Sequence, residues 1–186
     1  MAGGGPERQE ASGVGGSTVR GSGRGKDGGR SAREDAGLSI MYTNCQSVVS
    51  KMQELQAVSC TLNPDVIMLT ETWTHQAIDN SFLKIDNYEL MVRKDRVDTD
   101  KGRGGGLLIY AKDGITAWEI EEKNEVCQVG GIGVKANSGS KDMHLYLVYR
   151  SPNASSEENN RKLNQWMERL TGRYVIFGDL NYPGID

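Results

Sequence analysis

Three apolar runs in this chain each stop on a side chain that could hold a metal ion or a phosphate. Leu38–Asn44 ends on the amide of Asn44, Asp65–Glu71 on the carboxylate of Glu71, and Arg173–Asp179 on the carboxylate of Asp179, with Asn181 two positions further on. In layered α/β sheets, ligands bind at the carboxyl ends of the strands. A carboxylate at a surface-level strand end costs nothing, whereas a buried one needs a partner or a metal. Taken singly, each of these residues reads more readily as a solvated loop residue or a helix cap. Together they form a set of hard oxygen donors suited to Mg²⁺ or Mn²⁺, which takes one or two carboxylates, water and substrate phosphate. Paired carboxylates also serve glycoside hydrolysis, but the accompanying amides favour an oxyanion substrate.

Positioning such a set requires strands whose ends lie together. Between the first two runs, Met52, Leu55, Val58 and Leu62 share one helical face, Ser50 with Gln53 has capping-box spacing, and Asn63-Pro64 stops the helix. Strand, helix, strand with short connections predicts a right-handed crossover and a parallel pair. The nearly continuous apolar run before Glu71 predicts a strand covered on both faces. The end of the chain repeats the pattern. Ser155 with Glu158 has the same capping spacing, Leu163, Trp166, Met167 and Leu170 make a helical stripe, and Arg173–Asp179 is again a buried-strand run. Between these units lie strand candidates at Tyr88–Arg93, Leu107–Tyr110, Ile115–Glu121, Val126–Lys135 and Met143–Arg150, with Asp113-Gly114 as a hairpin signal.

Composition narrows the field. Of 24 glycines in 186 residues, 12 fall in residues 1–37, a stretch without Ile, Leu, Phe, Trp or Tyr. So little apolar area cannot offset the entropy of ordering, so residues 1–37 are predicted to be a disordered tail and residues 38–186 one domain. No apolar run approaches the roughly 18 residues of a membrane helix, and no secretory signal is present. Three cysteines, Cys45, Cys60 and Cys127, lack C-x-x-C spacing and read as buried free thiols of a reducing compartment. Removing six basic and five acidic residues of the tail from totals of 22 and 25 leaves 16 and 20, so the body carries a net charge of −4. That balance by itself does not advertise nucleic-acid binding.

Five segments in register carry a resemblance. Asn44, Thr70-Glu-Thr-Trp73, the Gly-rich turn before Leu107-Leu-Ile-Tyr110, Val148-Tyr-Arg-Ser-Pro152 and Gly178-Asp-Leu-Asn181 resemble the endonuclease/exonuclease/phosphatase superfamily. The Gly-Arg-Gly-Gly-Gly turn, the Tyr-Arg-Ser-Pro segment and the closing Gly-Asp-Leu-Asn-Tyr-Pro-Gly-Ile-Asp are most similar to the endonuclease domain of non-LTR (LINE-type) retrotransposon polyproteins. The resemblance covers about Leu38 to Asp186. It implies an α/β fold, a four-layer sandwich of two β-sheets flanked by helices, incomplete at its C-terminal side because the family pattern continues with a Ser-Asp-His-type segment.

The resemblance also implies roles. Glu71 would be the principal Mg²⁺ ligand with Asn44 beside it, Asp179 would orient and deprotonate the attacking water, Asn181 would hold water or phosphate, and Tyr149 would donate to the scissile phosphate. Read from the sequence alone, Tyr149 reads more readily as a cross-strand aromatic, and Trp73 as a packing residue rather than one that stacks on a base. Arg93 and Arg103, in a basic loop, are candidate contacts to DNA phosphates or solvated loop residues. His75 and His144 fall outside the family's histidine position. The implied activity is Mg²⁺-dependent nicking of DNA, without a small-molecule cofactor or a membrane, inside the cell and in the nucleus. A shortened chain is expected to turn over weakly or not at all. A catalytically dead or binding-only remnant, and a phosphoesterase for a lipid or inositol phosphate, are the alternatives.

Overall fold

A computed structural model describes residues 37–96, 104–136 and 141–182, so all but the last position of the predicted tail lies outside the described residues. The order of elements is β1 (Ile40–Asn44), α1 (Met52–Leu62), β2 (Val66–Thr70), β3 (Tyr88–Lys94), β4 (Leu107–Lys112), β5 (Ala117–Ile120), β6 (Gln128–Val134), β7 (Met143–Tyr149), α2 (Glu157–Glu168) and β8 (Arg173–Asp179). Two four-stranded sheets form, ordered β1-β2-β4-β3 and β5-β6-β7-β8. Each has one parallel pair built on a helical crossover: β1 with β2 around α1, and β7 with β8 around α2.

Side-chain alternation along the strands produces three apolar layers. Ile67 and Leu69 of β2 and Leu108 and Tyr110 of β4 pack with Leu55 of α1. Their neighbours Val66, Met68, Leu107 and Ile109 point to the other face and meet Ile132, Leu145 and Leu147 of the second sheet. On the far side of that sheet, Tyr146 and Val148 pack with Leu163 and Trp166 of α2. Helix, sheet, sheet and helix thus make the four layers. β2 is buried along its whole length, as a strand covered on both faces must be. Because 145, 147 and 149 share a side, Tyr149 ends the inter-sheet layer.

Local details depart from the sequence expectations at five places. Ser50 does not cap α1. The chain enters that helix through a 3-10 turn over Val49–Lys51 with helical backbone already at Val48, whereas a capping residue must be extended; the Ser50 hydroxyl donates to the Ser47 carbonyl instead. Ser156, not Ser155, caps α2: Ser156 is extended and its hydroxyl accepts from Asn159 N–H, while Ser155 closes the preceding 3-10 turn. On α1 the buried positions are Leu55 and Ser59, whose hydroxyl is satisfied by the Leu55 carbonyl, and Leu62 at the helix end is 63% exposed. Asp113-Gly114 does turn the chain, with Gly114 at φ 87, but it makes no hairpin. Both edges of β4 are already paired with β2 and β3, so β5 joins the second sheet. Finally, β8 is an edge strand among the described residues, and Tyr174 and Val175 remain well exposed on it.

The cysteines also separate. Cys45 is buried, Cys127 half-buried and Cys60 exposed on α1, so only one of the three matches the expectation of full burial. Burial pushes the Cys45 thiol up to about 11 and the Cys127 thiol up to about 12. The thiolate is the reactive form. At pH 8 a disulfide reagent should therefore modify Cys60 rapidly and the other two only after unfolding. Equal labelling of all three in the native protein would contradict this packing. Among the described residues no helix is long and apolar enough to cross a membrane.

Candidate active site

Both parallel pairs run in the same sense, and their carboxyl ends carry the residues singled out by type. Asn44 closes β1, Glu71 follows β2, Tyr149 closes β7, and Asp179 closes β8 opposite Tyr149 in the register. Across the two sheets, Asn44 Nδ2 donates to Asp179 Oδ2 at 3.2 Å, joining residues 135 positions apart. Asn181 Nδ2 donates to the Arg150 carbonyl at 2.7 Å, tying the loop after β8 to the end of β7. Glu71, Tyr149, Asn44, Asp179 and Asn181 are therefore the polar groups of one end of the sandwich.

Glu71 is the most constrained of them. Its backbone is left-handed, φ 54, a conformation that costs a non-glycine residue energy and marks sites where surrounding bonds over-determine the chain. Those bonds are present. Glu71 Oε2 accepts the indole N–H of Trp73 at 2.7 Å and the backbone N–H of Gly105 at 2.9 Å, while Trp73 N–H returns to the Gly105 carbonyl at 2.9 Å. Half-buried and outside the apolar clusters, Trp73 is thus a polar support of the carboxylate, which its sequence position did not reveal. Gly104, Gly105 and Gly106 all have positive φ. A Cβ on Gly104 would stand 3.5 Å from the Tyr149 hydroxyl and 3.7 Å from Glu71 Oε2, so a side chain there would fill the space where the phenol and the carboxylate converge.

Tyr149 feels this environment strongly. Burial, then Glu71 as acceptor and as charge, then the charge of Asp179 all hold its phenol protonated far above the ordinary tyrosine range. A protonated phenol is a hydrogen-bond donor at every physiological pH. The sign of the linked stability is fixed by the upward shift: the contribution is complete below the unfolded value of 10.0 and is lost as pH rises beyond it. Unfolding followed by circular dichroism should show stability falling above about pH 10, with a shallower fall in Tyr149→Phe. An identical alkaline slope in the two proteins would refute the assignment.

Arg150, next in sequence and not among the candidate site residues, is fully buried. Its Nε and one terminal nitrogen donate to the Ala154 carbonyl at 3.0 and 2.6 Å, that same nitrogen reaches Asn160 Oδ1 at 2.6 Å, and the guanidinium lies 5.4 Å from the Tyr182 ring centroid. Its backbone N–H donates to the Asp179 carbonyl at 2.9 Å. The side chain thereby anchors the stretch from which Tyr149, Asp179 and Asn181 all take their positions. Its place in the Tyr-Arg-Ser-Pro segment that carries the resemblance was the signal that could have marked it.

Arg93 is occupied elsewhere. Its five N–H donors meet Asp95 twice and Ile78 O, Asn80 Oδ1 and His75 O once each, at 2.6 to 3.2 Å, so it pins the segment after Trp73 to β3. Arg103 lies outside the described residues. His75 contributes only its carbonyl.

No group of three or more His, Cys, Asp or Glu side chains among the described residues could hold a metal alone. Glu71, with one oxygen fixed by two N–H donors, and Asn44, whose nitrogen is turned to Asp179 and whose carbonyl oxygen is the remaining acceptor, are nevertheless hard oxygen donors at the same strand ends. Two protein oxygens completed by water and phosphate are what Mg²⁺ takes, so the donor set fits that ion.

The sequence matches the endonuclease/exonuclease/phosphatase family over residues 41–185. The chain belongs to that family. Members of this family are hydrolytic nucleases and phosphatases. No curated protein matches at the sequence level. Among solved structures, the endonuclease domain of TRAS1, a telomere-specific non-LTR retrotransposon, is similar at 12% identity and TM-score 0.55, covering 79% of this chain and 62% of its own. The human Nocturnin catalytic domain with bound sulfate gives 10%, 0.55, 77% and 64%. A Neisseria 3′ phosphatase, NExo, bound to a product DNA hairpin gives 15%, 0.53, 81% and 60%. At such identities the likeness concerns the fold. The family chain described here spans about three-fifths of the length of these structures.

Proposed function

We propose that this chain carries metal-binding and water-activating residues of a DNA phosphodiesterase site, of the kind that nicks DNA for a non-LTR retrotransposon. The observation that carries the reading is the bond between Asn44 and Asp179, which joins the ends of the two parallel pairs beside Glu71 and Tyr149. Phosphodiester hydrolysis needs a water activated in line with its leaving group and donors on the non-bridging oxygens. Asp179, held by Asn44, takes the proton of the attacking water. Tyr149, kept protonated, donates to the phosphate, and Asn181 presents its amide oxygen to water. Glu71 and Asn44 would hold Mg²⁺, which when bound supplies positive charge to the phosphate oxygens. The TRAS1 likeness and the sequence segments quoted above support the retrotransposon branch, and the DNA hairpin held by NExo supports DNA as the substrate class. Nuclear work follows from the same reading.

Supercoiled plasmid incubated with the protein and Mg²⁺ tests it, with chelator and an inositol phosphate as parallel arms. Weak nicking at most is expected, and none in the presence of chelator. Phosphate release from the inositol compound without nicking would favour the small-phosphoester reading instead.

A further inference from the structure

Gln128 has no part in the chemistry described so far, yet its side chain bridges two backbone segments of the opposite sheet. It opens β6 and lies opposite Tyr149 in the register. Its Oε1 accepts the Gly106 N–H at 2.7 Å, and its Nε2 donates to the Asp95 carbonyl at 2.6 Å. One primary amide therefore fixes both the end of β3 and the start of β4, using its acceptor on one and a donor on the other. A Cβ on Gly105 would come within 3.1 Å of Gln128 Oε1 and 3.4 Å of the Tyr149 ring, so the turn lies directly against both side chains.

We infer that Gln128 is a positioning residue for Glu71, acting through the glycine turn. The chain of contacts is short: Gln128 Oε1 holds Gly106, the preceding Gly105 donates its N–H to Glu71 Oε2, and Trp73 closes the set on the same oxygen. Three successive glycines give that turn wide freedom of conformation, and a side-chain pin from the neighbouring sheet removes it. The pin also ties the turn to the strand paired with that of Tyr149, so the carboxylate and the phenol keep one relative placement although they belong to different sheets. This inference rests on the role proposed for Glu71.

The test uses Gln128→Met, which keeps the length of the side chain and removes both bonds. Val134→Ala, at the opposite end of β6, serves as a control for lost stability alone. The readout in metal-free protein is the indole N–H resonance of Trp73, one of three tryptophans, assigned by Trp73→Phe. In Gln128→Met this resonance should move toward the solvent-exposed position, and kcat for nicking should fall about ten- to a hundredfold with KM little changed. Val134→Ala should leave the resonance in place. If Gln128→Met leaves both resonance and kcat at the wild-type values, the inference fails. Should that variant not fold, amide exchange in the wild-type protein decides: Gly106 N–H protected well beyond an open loop supports the pin, and exchange at the open-loop rate overturns it. The resonance and exchange readouts need no substrate, so they stand even if the protein cleaves no DNA.

Discussion

Glu71→Ala should abolish measurable Mg²⁺ binding by calorimetry and lower metal-dependent nicking by about a thousandfold or more. The loss is expected to be large because Glu71 is a carboxylate held by two directed N–H donors on a left-handed residue, so no neighbour can take its place. Asp179→Asn should separate the two roles. It keeps an acceptor for Asn44 Nδ2 but loses the base, so metal binding should change only a few-fold while turnover stops. A third readout links them. Both carboxylates raise the Tyr149 phenol, with Glu71 ahead of Asp179, so each substitution should lower its titration and Glu71→Ala should lower it further. Mg²⁺ binding that survives Glu71→Ala would remove the proposed metal site.

Gly178→Ala is expected to be the most damaging change to the fold. Gly178 pairs with Val148 in the β7–β8 ladder and has φ 145, outside the range that side chains favour. A Cβ there would stand 1.9 Å from the Val148 carbonyl oxygen, and backbone cannot swing aside as a flexible side chain would. The strand must part from its neighbour at the position next to Asp179. A loss of about 3 kcal/mol or more in urea unfolding follows, since strain and broken pairing act together. Gly114→Ala, at φ 87 but in open space, should cost distinctly less. Equal costs for the two would mean that the close approach is not real.

Much of the architecture was readable because hydrophobic period and punctuation agree along this chain. β8 was bounded correctly at both ends, and the two helical crossovers with their parallel pairs follow from strand, helix and strand in short succession. What failed was pairing beyond neighbours in sequence. Asp113-Gly114 looks like a hairpin because a turn is a local property, whereas the partner of β5 depends on β4 having no open edge. Exposure failed in the same way: the apolar run of β8 reads as a strand covered on both faces, yet among the described residues it is an edge strand with Tyr174 and Val175 exposed.

For the site, residue type and strand-end position by themselves determined the candidates Asn44, Glu71, Asp179 and Asn181, because chemistry and period are written into single residues. Their supports were decided only by tertiary structure. Gln128 meets Gly106 only once the two sheets have packed, the Arg150 carbonyl meets Asn181 only once β8 lies beside β7, and the Trp73 indole reaches Glu71, two residues away, through left-handed backbone at both residues. Arg93 makes the complementary case. A cation in a polar loop reads as a phosphate contact until the fold supplies an acceptor for each of its donors. A side chain's chemistry belongs to the sequence, but a hydrogen bond needs two positions, and the distance between them is set by the fold.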